Sequence, residues 1–258
     1  MTGWRAVQIL LAGLCLAGAR APCADATTVV VQTGMLGQFI FGSPGQDDRS
    51  APPPAVARYV SDEGQTFILD RSTPTALLRF EDSPEVMALS PTPAARGDTI
   101  YRDDMGQPVL RITKLGGLTL FFPGRPAGAP VAFEGQAPVI RLMPMSPGAL
   151  LQHLAQASFR ATHAAKHLIV FDAQDPPSGS EAIFADAAMV TSQALVQMSG
   201  RRDGEAVLAH LVRVLFVPGP NGSVALGHGV LVVTVNPNLG LAGRPSSARV
   251  MAVGFKIR

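Results

Sequence analysis

An α+β fold is predicted for this chain: an antiparallel β-meander packed with two to three helices and C-terminal strands. Three observations predict it. Between residues 66 and 122 short apolar segments alternate with turn residues at even spacing. From residue 146 to residue 200 apolar positions recur with helical periodicity, and beyond residue 212 strand-like runs return. Such a meander can close into a small barrel or lie as one sheet against the helices.

The first residues read as a signal peptide over 1–26. Trp4-Arg5 gives a short positive start, residues 6–18 form an apolar run too short to span a bilayer comfortably, and small residues follow. Pro22 disfavours cleavage after Ala21, so Ala24-Asp25-Ala26 is the better site, with Thr27 as the new terminus. Retention of the segment as an anchor is the alternative. Cleavage removes both Cys15 and Cys23, which leaves no disulfide and no cysteine-bound metal. The expected location is therefore periplasmic or secreted, with no membrane span after cleavage.

Residues 27–57 form an N-terminal segment and a Pro-rich linker that ends in Pro52-Pro53-Pro54. A single α+β domain is expected over 58–258, with the meander at 58–123 and the helices and C-terminal strands at 146–258. Strands are predicted at 66–71, 76–81, 86–89, 99–103, 109–114 and 118–122.

Residues 96–123 carry the sharpest register argument. A loop at Asp104-Met105-Gly106 sets Asp103 opposite Gln107, Ile100 opposite Leu110 and Tyr101 opposite Val109. A second loop, Leu115-Gly116-Gly117, then puts Leu110 and Ile112 on one inner face with Phe122 and Leu120.

Residues 124–138 read as a Pro/Gly-rich connection, followed by a short strand at 139–142. Ser146 caps a helix with Pro147 at its first position, and Leu151, Leu154, Ala155, Ser158 and Thr162 form its stripe up to about residue 166. A buried strand is predicted at 168–171. Ser178 and Glu181 have capping-box spacing for a second helix, which runs through Ile183, Ala187, Val190, Ala194 and Met198 to Gly200. A shorter helix opens at Asp203, and strands follow at 212–217, 230–235 and about 249–255. No internal repeat is expected.

Charge and composition exclude several functions. A net charge of +2 with scattered arginines argues against nucleic acid as a partner, and 47% hydrophobic against 16% charged residues argues against general disorder. There is no Gly-x-Ser-x-Gly elbow, no phosphate-binding loop and no His-Glu-x-x-His. Leu69-Asp70-Arg71-Ser72 resembles an aspartic-protease loop only in part, since Arg71 replaces the hydroxyl residue and no glycine follows. The acid pairs Asp47-Asp48, Glu81-Asp82 and Asp103-Asp104 read as solvated turn residues, because neighbours on a strand face opposite ways. Arg96-Gly97-Asp98 opens a strand, and Asn221-Gly222-Ser223 reads as a turn.

What remains is a non-catalytic binding or structural protein with no cofactor and no metal. Its partner would be a protein or small molecule of the cell envelope, read by the strand-borne Arg79, Tyr101 and Arg111 if the meander is concave. The alternatives are a hydrolase-like site built from distant residues such as His210 or His228, or a metal site on His163 and His167, with His153 on a similar side.

Three stretches carry a family resemblance: Phe80-Glu81-Asp82-Ser83-Pro84-Glu85-Val86, residues 96–122, and Gly240-Leu241-Ala242-Gly243-Arg244-Pro245-Ser246-Ser247. Together they resemble a family of functionally uncharacterised exported proteins of Gram-negative bacteria, a domain of unknown function. The similarity covers the chain from about Tyr59 onward and implies an envelope protein. It assigns no catalytic residue.

Overall fold

A computed structural model describes residues 54–255. The signal peptide and most of the Pro-rich linker expected from the sequence lie outside the described residues. Strands β1 (Val56–Ser61), β2 (Thr66–Asp70), β3 (Ala76–Phe80), β4 (Val86–Pro93), β5 (Thr99–Arg102), β6 (Pro108–Ile112), β7 (Leu118–Phe122) and β8 (Arg125–Gln136) pair antiparallel in chain order. Pairing of β8 with β1 closes an eight-stranded barrel. Its interior is a packed core: Tyr59, Phe67, Leu69, Leu78, Leu89, Leu110 and Leu120 are fully buried together.

One side of the barrel is buried on both faces. Ile68, Leu77 and Val86 point outward and are covered by Ile140 and Leu241, which explains why β2 and β3 are nearly continuous in apolar residues rather than alternating. Asp70 sits at the edge of this cover, 1% exposed. Its carboxylate accepts from the Ser72 amide and hydroxyl and, across the chain, from the Ile140 amide at 2.8 Å. The aspartate of the partial protease-like motif is thus a clamp on the segment that leaves the barrel.

Strand β8 is where closure departs from the sequence expectation, which made residues 124–138 a connection. Prolines and glycines depress strand propensity there, but both neighbours offer unpaired backbone, and bulges against β1 and β7 absorb the misfit. The hairpin registers are corrected similarly. The Asp103 to Gln107 closure forms as expected, yet a bulge at Tyr101/Arg102 sets Tyr101 opposite Leu110 and Ile100 opposite Arg111. The next loop has three residues but is Lys114-Leu115-Gly116, so Leu110 faces Leu120 and Ile112 faces Leu118. A shift of two residues preserves the inner face, which is why its membership was right.

A short device recurs that the sequence reading, expecting no repeat, passed over. In the turns starting at Ser61, Asp103 and Thr113 the side-chain oxygen of the first residue accepts the amide of the fifth, at 3.1, 2.8 and 2.9 Å. The fourth residue is in each case a glycine at positive φ: Gly64, Gly106 and Gly116.

The second layer contains α1 (Pro147–Ala165), β9 (Val170–Ala173), α2 (Glu181–Ser199), α3 (Gly204–Leu208), β10 (Arg213–Pro218), β11 (Ser223–Gly227), β12 (Val230–Val235) and α4 (Ser247–Phe255). The sheet order is β11-β12-β10-β9, parallel except for the edge strand β11. The barrel, second sheet and helices make the molecule α+β with a small barrel, as the sequence predicts.

Helix α1 starts as expected, the Ser146 hydroxyl accepting the Ala149 amide. Its buried stripe is Leu150, Leu154, Ala157 and Ala161, while Leu151 is 67% exposed; the expected stripe was rotated by one residue. Helix α2 buries the predicted Ile183, Ala187, Val190, Ala194 and Met198 but begins at Glu181 without a side-chain cap. Residues 139–142 form no strand, and the strand expected at 249–255 is helix α4. There, Ser246 caps through the Arg249 amide at 3.1 Å, and local capping overrides the β-branched composition.

Candidate functional site

The three residues offered as a binding set do not share a surface. Arg79 lies exposed on the outer side of β3, and Tyr101 turns inward against the barrel core. Arg111 faces outward and binds Asp98 through Nε at 2.8 Å and through Nη2. Asp98 also accepts the Lys114 amide, so the acid of the Arg-Gly-Asp tripeptide is occupied by the barrel itself. The Arg111 guanidinium holds the Asp98 carboxyl below the usual carboxylate range, against an opposing push from desolvation and with help from the Lys114 amide.

A denser polar constellation joins the barrel to the helical layer. Arg244, its side chain 2% exposed, pairs with Asp186 of α2, lies 3.8 Å from Glu85 and donates to the Val86 carbonyl at 3.0 Å. Ser247 donates to Glu85 from its amide and hydroxyl. Ser246 and Arg249 do the same for Asp104 in the β5–β6 turn, at 2.9, 2.6 and 3.0 Å. Glu85, Asp104 and Arg244 come from the three stretches that carry the family resemblance, and the structure gathers them at one junction. Arg244, Glu85 and Asp104 all find partners within the protein, so the arrangement fastens the barrel to the helical layer. In sequence Asp104 reads as a solvated turn acid, because its partners lie more than 140 residues away.

The histidines separate. His167 is used structurally, its ring nitrogens lying 3.0 Å from the Ala165 carbonyl and 2.8 Å from that of Leu211. Among the described residues no three His, Cys, Asp or Glu side chains converge to hold a metal. His210 and His228, in contrast, line one cleft of about 470 Å³ together with Asp203, Ala206, Val207, Leu211 and Leu226 and the glycines of the β11–β12 turn and α4.

Local geometry builds this cleft. The two-residue turn His228-Gly229 joins β11 to β12, both residues at positive φ (50° and 77°). The Gly229 carbonyl accepts the amides of Val212 and Arg213, and a Cβ on Gly229 would stand 2.7 Å from the His210 carbonyl. Only glycine permits the turn to close this tightly on the segment before β10. His228 is held in the left-handed region, as the first position of such a two-residue hairpin turn requires. Val207, Leu211 and Leu226 form the apolar floor, backed by Leu195, Met198, Leu231 and Val250. Among the described residues that line the cleft, the polar side chains are two imidazoles and one acid, with no serine, threonine, cysteine or lysine.

Fold and cleft together define an α+β barrel protein whose helical layer carries a pocket of small-molecule size. The chain belongs to the family described as Domain of unknown function (DUF4908), which matches residues 36–254. That match begins upstream of Tyr59, where the resemblance was expected to start. No curated protein and no solved structure matches the chain.

Proposed function

We propose that the protein is an exported, non-catalytic binding protein that takes a small, largely apolar molecule into the His210–His228 cleft. The observation that carries this reading is the cleft itself: about 470 Å³, with an apolar floor and a few polar groups at its mouth. That combination is typical of small-ligand sites, which run from roughly 300 to 1,000 Å³. The filled barrel interior leaves the meander as the support on which the helical layer is mounted. Export rests on the charged start, apolar run and small-residue site of residues 1–26.

Direct binding of an apolar fluorescent dye tests the reading. Micromolar dye binding by the wild type, lost in Ala206→Trp, is the expected result, since the indole would fill the cleft from its exposed rim. Equal binding by the variant would overturn it. Cell fractionation with mass measurement of the purified chain tests export, and the expected N-terminus is Thr27.

A further inference from the structure

We infer that the protein forms a two-fold dimer through edge strand β11, which pairs antiparallel with β11 of a second copy about an axis at Ala225. The inference rests on the second sheet and is independent of what the cleft binds. The barrel closes on itself and has no edge, so the outer strands of the second sheet, β9 and β11, are the ones that need protection. Helix α1 intervenes at the β9 side. The Ile169 amide donates to the Thr162 hydroxyl at 3.0 Å, and the Ile169 carbonyl accepts from the Ser158 hydroxyl at 2.6 Å. Strand β11 carries none of the usual guards. It reads Ser223-Val224-Ala225-Leu226-Gly227, without charge or proline, its register with β12 is unbroken, and Ser223, Ala225 and Gly227 are exposed.

Strand parity fixes which backbone groups are free. The carbonyls of Gly229 and Val235 turn toward β10, where they accept from the Arg213 and Gly219 amides. The alternate residues Val230, Val232 and Thr234 therefore bond Gly227, Ala225 and Ser223 of β11. That leaves the amides and carbonyls of Val224 and Leu226 directed off the sheet.

The residues of β11 suit a second copy of themselves. With the axis at Ala225, Val224 of each copy lies opposite Leu226 of the other, and both residues exchange their free amide and carbonyl. The Val224 and Leu226 side chains pack on the helical side of the sheet, so the cross-strand pairs are apolar. On the exposed side Ala225 meets its own copy at a position where the chains approach closely, and a methyl group fits there. Ser223 falls opposite Gly227. No like charges face each other: helix α4, which packs on β11, has Arg249 as its one charged residue through Gly254, and Arg249 is bound to Asp104 within the chain.

Sedimentation of the protein starting at Thr27, from about 1 to about 100 µM, tests the inference over the range that suits an interface of modest area. A reversible equilibrium between monomer and dimer is expected. Ala225→Lys puts two like charges at the axis and should raise the dissociation constant at least tenfold, with an unchanged melting temperature at the lowest concentration. Cysteine placement then reads the axis, in a chain free of Cys15 and Cys23. Ala225→Cys should form an intermolecular disulfide on mild oxidation, because facing Cα atoms at such a position are about 4.5 Å apart. Ser223→Cys should not, since its two copies stand four positions out of register, roughly 13 Å apart. A protein that stays monomeric throughout the range overturns the inference. So does a dimer that survives Ala225→Lys, or cross-linking at residue 223 in preference to 225.

Discussion

Tyr59 shows how a single polar atom can be placed against the interest of stability. Its ring is 1% exposed, stacked on Phe67 in the barrel core, and its hydroxyl has no hydrogen-bond partner among the described residues. Burial raises the phenol above its usual range, with Arg71 pulling it down and Tyr101 pushing it up by smaller amounts. Tyr59→Phe should therefore raise unfolding free energy by about 1 kcal/mol, measured by urea titration. Asp98 makes the opposite case. Its folded-state affinity for a proton is below that of the unfolded chain, so its contribution is present above the ordinary carboxylate range, about 3.9, and is lost as pH falls through the depressed folded value. Asp98→Asn should lower Tm at pH 6 to 7, and the gap to the wild type should narrow below about pH 4. An unchanged gap across that range would remove Arg111 as the cause. Residue roles were the least legible part of the sequence. Asp70, Asp98 and Asp104 are all turn or strand-end acids in one dimension, and only the distant donors Ile140, Arg111 and Ser246 tell them apart.

At the scale of elements, legibility followed how local the decisive interaction is. The Ser146 cap, the buried positions of α2 and the strands from β2 to β7 rest on periodicity and turn chemistry within a few residues, and they were predicted. Strand β8 and edge strand β11 depend on neighbours far along the chain, and they were not. Even where hairpins were recognised the pairing moved, by one residue at the β5–β6 bulge, where Gly106 keeps its turn position, and by two residues in β6–β7. Those glycines support a direct test. Gly106→Ala forces a Cβ into φ of 79°, and should cost about 1 to 2 kcal/mol by chemical denaturation. No other side chain lies within 4 Å of that Cβ, so steric collision adds nothing. A neutral outcome would mean that the turn relaxes into another type.

For the whole molecule the decisive feature is the junction around Arg244. Removing its guanidinium would leave Asp186 and Glu85 as poorly compensated charges where the side chain is 2% exposed. Arg244→Ala should therefore destabilise the protein by about 3 to 5 kcal/mol, whereas Arg249→Ala, at a more open site, should cost about 1 kcal/mol. Equal effects in denaturant titrations would deny Arg244 its central place. The candidate cleft was half legible. His210 and His228 stood out as histidines near the C-terminal strands, but nothing local could show that α3 and the β11–β12 turn enclose an apolar floor between them.

The order in which the chain is made gives the junction a further meaning. Synthesis completes the barrel at Gln136, yet Ile68, Leu77 and Val86 still lack the cover of Leu241, and Glu85 and Asp104 still lack residues 244–249. A polypeptide interrupted before Leu241 would carry a barrel with an oily flank and two unanswered acids, the kind of surface that chaperones hold and proteases cut. The last hundred or so residues thus act as a completeness check on the first hundred, and only a chain read through to its final helix can hide the evidence that it was ever unfinished.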